Sequence, residues 1–190
     1  GNQLVGLLRK KKLLNHKTGI IVISGDSSLE TVLTVLSSNV LYFLKKPIKT
    51  GTLGVKIRNV QKDQNLVVKA KKIVVNKTIN SFEKVDKLKL ITDSSSSLIL
   101  IESKIFEMIE EEQEWDLLSL MIQCSTTTMH MSKVSATASI LHQEGLFIEA
   151  TQLLEDFLIS NPLAYQVLDK LVYSYEKKDM PYDALRVAIR

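Results

Sequence analysis

Gly19-Ile20-Ile21-Val22-Ile23-Ser24-Gly25-Asp26 and Val40-Leu41-Tyr42-Phe43-Leu44-Lys45-Lys46-Pro47 are two apolar runs ended by polar residues, and their reading decides the fold of the first third of this chain. Ile20 to Ile23 is unbroken and β-branched, the composition of a strand in a parallel sheet covered on both faces. Val40 to Leu44 reads as the next buried strand, and Pro47 ends it because its ring nitrogen has no hydrogen for a ladder. Between them Ser27 and Glu30 have the spacing of a capping box, and Leu29, Val32, Leu33 and Leu36 form a helical stripe. Working outward, Leu4, Leu7 and Leu8 mark a helix over Asn2 to Lys12, closed by the loop Asn15 to Gly19. Leu53, Ile57 and Val60 outline another helix that begins near Thr50 to Thr52. The order is helix, strand, helix, strand, helix.

Doubly wound sheets hold their ligands beyond the carboxyl ends of the strands. There stand a hydroxyl, Ser24, and an ammonium, Lys46, with Phe43 on the second strand and Pro47 directly after the lysine. Taken singly, a serine after a strand is a turn residue, a Lys-Pro pair is common at strand ends, and a phenylalanine in an apolar run is core. Taken together at this spacing, Ser24, Phe43, Lys46 and Pro47 resemble the C-terminal part of a response-regulator receiver domain, the CheY-like module of two-component systems. The resemblance implies a partial flavodoxin-like parallel sheet, its last two strands with three helices, over residues 1 to 63. It implies that Ser24 and Lys46 grip the oxygens of an aspartyl phosphate, that Phe43 is the switch aromatic, and that Pro47 follows a cis peptide bond which aims Lys46. The phospho-acceptor aspartate is expected ahead of Gly1, with Mg²⁺ held by acids there in the complete receiver and no cofactor or metal ligand supplied by this chain. Lys45 reads as a solvated neighbour. Asn39-Val40 departs from the Gly-Ala usual in that family, which alters the turn and leaves the site residues in place.

Composition bounds the rest. The chain has 190 residues, 45% of them hydrophobic and 24% charged, enough for one large or two small cores. Its uncharged apolar runs are far shorter than the roughly 20 residues of a spanning helix, so no membrane partner is expected. The single Cys124 excludes an intrachain disulfide, reads as a buried helix residue and suits a reducing cytoplasm. A net charge of +4 hides a split: residues 1–72 hold 14 Lys/Arg against 3 Asp/Glu, and residues 103–190 hold 7 against 14. The receiver resemblance implies a basic remainder here, because a receiver's metal-binding acids are expected in a first half ahead of Gly1. With no helix-turn-helix, zinc finger or aromatic RNA-binding motif, no nucleic acid is expected.

Past the second strand, Leu53, Ile57, Val60, Gln64, Val67, Lys71 and Val74 recur in steps of four and three, so residues 64–97 read as a connecting helix and linker. The seam allows a homodimer or packing on the next domain. Ser81 to Leu90 reads as a short helix, and Thr92 to Ser97 as linker. Residues 98–190 read as all-α. Leu98, Ile101, Ile105 and Met108, then Leu117, Leu118, Met121 and Ile122, then Met131, Val134, Ala138 and Leu141 all recur at helical spacing. In the last sixty residues Glu149-Ala150 returns as Asp183-Ala184 and Leu141 as Tyr175, a 34-residue echo. With Gly145 between two helices and Pro181 at a first turn, this resembles a tetratricopeptide-like array of α-hairpins, for which further repeats are expected past Arg190. Thr137-Ala138 and Phe157 depart from that family's pattern. The alternative is a plain helical bundle. His130 and His142 have no carboxylate or thiol at ligand spacing, His16 sits in a loop, and Glu110 to Glu112 with Glu114 read as a solvated face that could instead dock on the basic half.

The expected whole is α/β then all-α: a response regulator of a two-component phosphorelay, without enzymatic activity, whose output is protein binding by helical repeats. Its expected partners are a sensor histidine kinase and a protein held by the repeats. No Gly-rich phosphate loop, nucleophile elbow or metal cluster is present in the sequence. The alternative is a flavodoxin-like small-molecule or nucleotide-binding enzyme with a helical appendage, in which Ser24 and Lys46 act on a substrate.

Overall fold

The computed structural model describes residues 7, 8, 11, 13, 18–26, 42–95 and 97–189. The chain divides into two units, Gly1–Ala70 and Lys71–Arg190. Among the described residues it is mostly helical, with one small parallel sheet near the start.

In the first unit, β1 (Ile21–Ser24) and β2 (Tyr42–Lys45) pair in parallel, with Ile21 opposite Tyr42, Val22 opposite Phe43, Ile23 opposite Leu44 and Ser24 opposite Lys45. Side chains alternate across a strand, so Tyr42 and Leu44 share one face while Phe43 and Lys45 share the other. The first face meets α1 (Thr50–Val74): Leu44 is buried, and the Tyr42 hydroxyl donates to the buried carboxylate of Asp63. The Lys56 ammonium lies 5.2 Å from the centre of the Tyr42 ring. Gly19, just ahead of β1, sits so close to Val60 of α1 that a β-carbon there would clash. The capping box Ser27/Glu30, the stripe Leu29 to Leu36, the Asn39-Val40 turn and most of the helix Asn2 to Lys12 lie outside the described residues.

The helix α1 runs 25 residues without interruption. Val60, Gln64, Val67 and Val74 of the four-and-three seam are buried within the chain, as are Asp63 and Ala70, whereas Ile57 of the same seam is exposed.

The second unit starts earlier than Leu98. Asn76 to Asn80 form a turn, in which Asn76 Oδ1 accepts from the Thr78 N–H at 2.8 Å, and α2 (Ser81–Asp93) follows. Asn80 caps it, its Oδ1 accepting from the Glu83 N–H at 2.9 Å. Val85, Leu88 and Ile91 are buried where α2 packs on α3 (Leu98–Glu111) and α4 (Trp115–Cys124), so a helix read from sequence as part of the connector belongs to this unit.

From α3 onward the chain forms three hairpins: α3/α4, α5 (Met131–Gln143)/α6 (Phe147–Ser160) and α7 (Tyr165–Lys177)/α8 (Pro181–Ala188). Each turns through one left-handed residue, Gln113 (φ 56°), Gly145 (φ 76°) or Asp179 (φ 56°). The hydrogen bonds repeat with the turn. Gln113, Gly145 and Asp179 donate to Glu110, His142 and Glu176, and the next residues Glu114, Leu146 and Met180 donate to Ile109, Leu141 and Tyr175. These are the cap bonds of a Schellman-type helix end. The carbonyls of those same residues, Glu114, Leu146 and Met180, which precede each second helix, then accept from the N–H of Leu118, Ala150 and Ala184, all buried. Pro181 opens α8 at its first turn, where a missing N–H is not needed.

Each new hairpin packs its first helix on the one before: α5 touches α3 and α4, and α7 touches α5 and α6. Val134, Ala138, Leu154, Leu158, Val167, Leu168, Leu171, Tyr175, Ala184 and Val187 form one core through the last two hairpins. Ala138 and Ala150 are wholly buried, the small residues that let α5 and α6 approach.

Candidate functional site

Parallel pairing in a register that aligns Ser24 with Lys45 brings the candidate residues to one end of the sheet. The Lys46 N–H donates to the Ser24 carbonyl at 2.8 Å, closing the two strand ends onto each other. Ser24 Oγ accepts from the Asp26 N–H at 3.1 Å, which leaves its proton for another acceptor. The Lys46–Pro47 peptide is cis, and Lys45, Lys46 and Lys49 are all exposed, so this edge is electropositive. Lys46 makes no ion pair among the described residues. Phe43 is half-buried, on the face that also carries Val22 and Ser24 by strand alternation. Chemically, a hydroxyl and an ammonium at the carboxyl ends of adjacent parallel strands suit an anion, to which both donate charge-assisted bonds.

A magnesium ion needs converging carboxylates. Among the described residues no group of three or more His, Cys, Asp or Glu side chains converges, so the residues described here do not by themselves fit the ion. No step below runs through it.

The helical unit holds a second polar centre that sequence spacing missed. His130, which has no carboxylate at ligand spacing in the sequence, meets one 28 positions away: its Nε2 lies 2.9 Å from Oε2 of Glu102, which is 3% exposed. The Thr127 hydroxyl donates to the same oxygen at 2.6 Å. Burial pushes the Glu102 carboxyl up, but hydrogen bonds from His130, Ser125 and Thr127 outweigh it and hold the group below the usual carboxylate range. His130 Nδ1 accepts from the Lys133 N–H and so caps α5, which places the ring proton on Nε2 facing Glu102. The Lys133 ammonium donates to Ser125 Oγ at 2.9 Å and to the Thr127 carbonyl at 2.9 Å, and Phe106 stacks on the His130 ring. The group pins the Ser125–His130 connection between the first two hairpins. The hydrogen bonds among Glu102, Ser125, Thr127, His130 and Lys133 tie these side chains to one another, which is the chemistry of a fastening.

Glu114 also differs from the solvated reading. It pairs with Lys77 at 2.5 Å and with buried Lys84 at 3.4 Å, and the Lys77 bond holds its carboxyl below the ordinary range. Lys84 additionally donates to the Val74 carbonyl at 2.8 Å. Glu110 faces Lys170 at 3.5 Å, while Glu111 and Glu112 are exposed. Cys124, expected to be buried, is only partly so at the end of α4. His142 pairs with Ser174 Oγ at 2.7 Å between the rings of Phe147 and Tyr173. No helix among the described residues is long and apolar enough to cross a membrane.

No protein-family model matches this chain, and neither a curated protein nor a solved structure is found similar to it.

Proposed function

We propose that residues 1–63 are the C-terminal part of a response-regulator receiver and that the helical hairpins are a tetratricopeptide-like output module binding a protein partner. The observation that carries the reading is the shared strand edge: Ser24 and Lys46 stand at the same end of two adjacent parallel strands, joined by the Lys46 N–H to Ser24 carbonyl bond. In this reading the dianion is a phosphoryl group on an aspartate ahead of Gly1. The Lys46 ammonium and the Ser24 hydroxyl take its oxygens, and Ser24 moves toward it. The Phe43 ring, on the same face of the sheet, turns into the space left behind. Charge-assisted bonds to such a dianion are about twice as strong as neutral ones, which gives the switch its driving force. A sensor histidine kinase supplies the phosphoryl group in a cytoplasmic phosphorelay. The repeating left-handed turns at 113, 145 and 179 and the stacking of each first helix on the preceding hairpin support the tetratricopeptide-like reading of the output.

The test uses the full-length protein. Beryllofluoride, which mimics the aspartyl phosphate, should change its hydrogen exchange around Phe43 and its binding of a partner recovered by cross-linking, and Lys46→Ala should abolish both responses. A full-length sequence with no aspartate-bearing strand ahead of β1, or a response that survives Lys46→Ala, would refute the assignment.

A further inference from the structure

The outward face of α1 is a single-sign stripe. Arg58, Lys62, Asn65 and Lys69 follow one another in steps of four, three and four, the spacing that keeps residues on one side of a helix, and all four are exposed. The helix carries the same stepping on to exposed Lys72. At 1.5 Å per residue, Arg58 to Lys69 spans about 16 Å. The acidic residue of α1, Asp63, is buried and bonded to Tyr42, so nothing on the stripe neutralises it. Among the described residues none of these cations forms an ion pair. The second unit treats its cations differently, pairing Lys77 with Glu114, Lys87 with Glu83, Lys104 with Glu107 and Arg186 with Asp183.

A row of like charges at helical spacing costs stability by mutual repulsion, so it is relieved by an extended anion. The same repulsion excludes self-pairing of two such helices along this face. An acidic protein would have to match the stripe carboxylate by carboxylate, whereas a nucleic-acid duplex offers an even line of phosphates in any register. We propose that the outward face of α1 binds the phosphate backbone of duplex DNA through Arg58, Lys62 and Lys69. Absence of a recognition motif in the sequence argues against base reading, and this contact needs none.

Fluorescence anisotropy of a short labelled DNA duplex with the full chain tests it. Three phosphate contacts predict that log affinity falls with log salt at a slope of about −3. Lys62→Glu with Lys69→Glu should weaken binding about tenfold or more and flatten the slope by about 2, while Lys177→Glu in the helical unit should change neither. If the double reversal lowers the melting temperature, Lys62→Gln with Lys69→Gln gives the same reading with less perturbation. Lack of salt-dependent duplex binding, or binding unchanged by both double variants, overturns the proposal. Tighter, stripe-dependent binding to phosphatidylserine vesicles or to polyglutamate overturns it in favour of a membrane surface or an acidic protein. None of these readouts involves phosphorylation, so they stand or fall apart from the receiver assignment.

Discussion

Replacing Glu102 tests whether a buried carboxylate, and not apolar packing alone, fastens the first two hairpins. Two of its donors, the His130 Nε2–H and the Thr127 hydroxyl, converge on one oxygen, Oε2. Glu102→Gln keeps an oxygen there, exchanges the other oxygen for an NH2 and loses the charge, which strengthens a hydrogen bond from about 1 to about 2 kcal/mol; relief of burying a charge offsets part of that loss. The expected net cost is about 1 kcal/mol. Glu102→Ala strands both donors in a buried site at about 1–3 kcal/mol each and removes one buried methylene at about 0.8 kcal/mol, for a total of about 4 kcal/mol. That is a large fraction of a small domain's stability. Urea unfolding of the full chain at pH 7, followed by circular dichroism, should therefore rank wild type, Gln, Ala with a wide gap between the last two. The pH dependence gives a second reading. The folded carboxyl titrates below its unfolded value, so its stabilising contribution is complete above the unfolded pKa and is lost as pH falls through the folded one. The advantage of wild type over Glu102→Gln should shrink below about pH 4.5. If the Ala and Gln variants unfold at the same urea concentration, the hydrogen bonds to Oε2 do not fasten the hairpins and the reasoning fails.

His142 gives the opposite pH window. Burial, helped by the nearby Lys170 charge, pushes its pKa down to about 4 from an ordinary value of 6.5. The unfolded chain therefore binds the proton first, and stability should fall as pH drops from 6.5 toward 4. His142→Phe keeps the stacking on Phe147 and Tyr173, and Ser174 retains its bond to the Lys170 carbonyl, so urea midpoints at pH 7 and pH 5 should lie closer together in the variant; an unchanged gap would remove His142 from the account. The left-handed turns make a matched pair. Gly145→Ala meets nothing within 4 Å, so its cost is backbone strain alone, about 1 kcal/mol, whereas Gln113→Gly relieves such strain and should leave stability equal or higher. Equal thermal shifts in the two variants would contradict the shared turn geometry.

The strands and most of the described helices were legible because local patterns decide them: the β-branched run at Ile20 to Ile23, the four-and-three steps from Leu53 to Val74, the 34-residue echo, and Gly145 and Pro181 at the hairpin ends. The same patterns placed Ser24 and Lys46 at the carboxyl ends of the two strands and Phe43 within the second, since a parallel pair leaves one arrangement of those ends. The place of α2 was not legible, because which neighbour covers Val85, Leu88 and Ile91 depends on α3 and α4 and not on the residues flanking α2. Nor was the bond from His130 to Glu102, since 28 positions of chain separate groups that only hairpin stacking brings together. The stripe Arg58, Lys62 and Lys69 is periodic in the sequence, but periodicity does not say which side of α1 is covered. Covalent neighbours and local spacing set what each segment becomes. Which of its charges are spent on internal partners, and which remain for an outside one, is set only when distant segments pack, because burial and pairing are properties of the neighbour as much as of the residue.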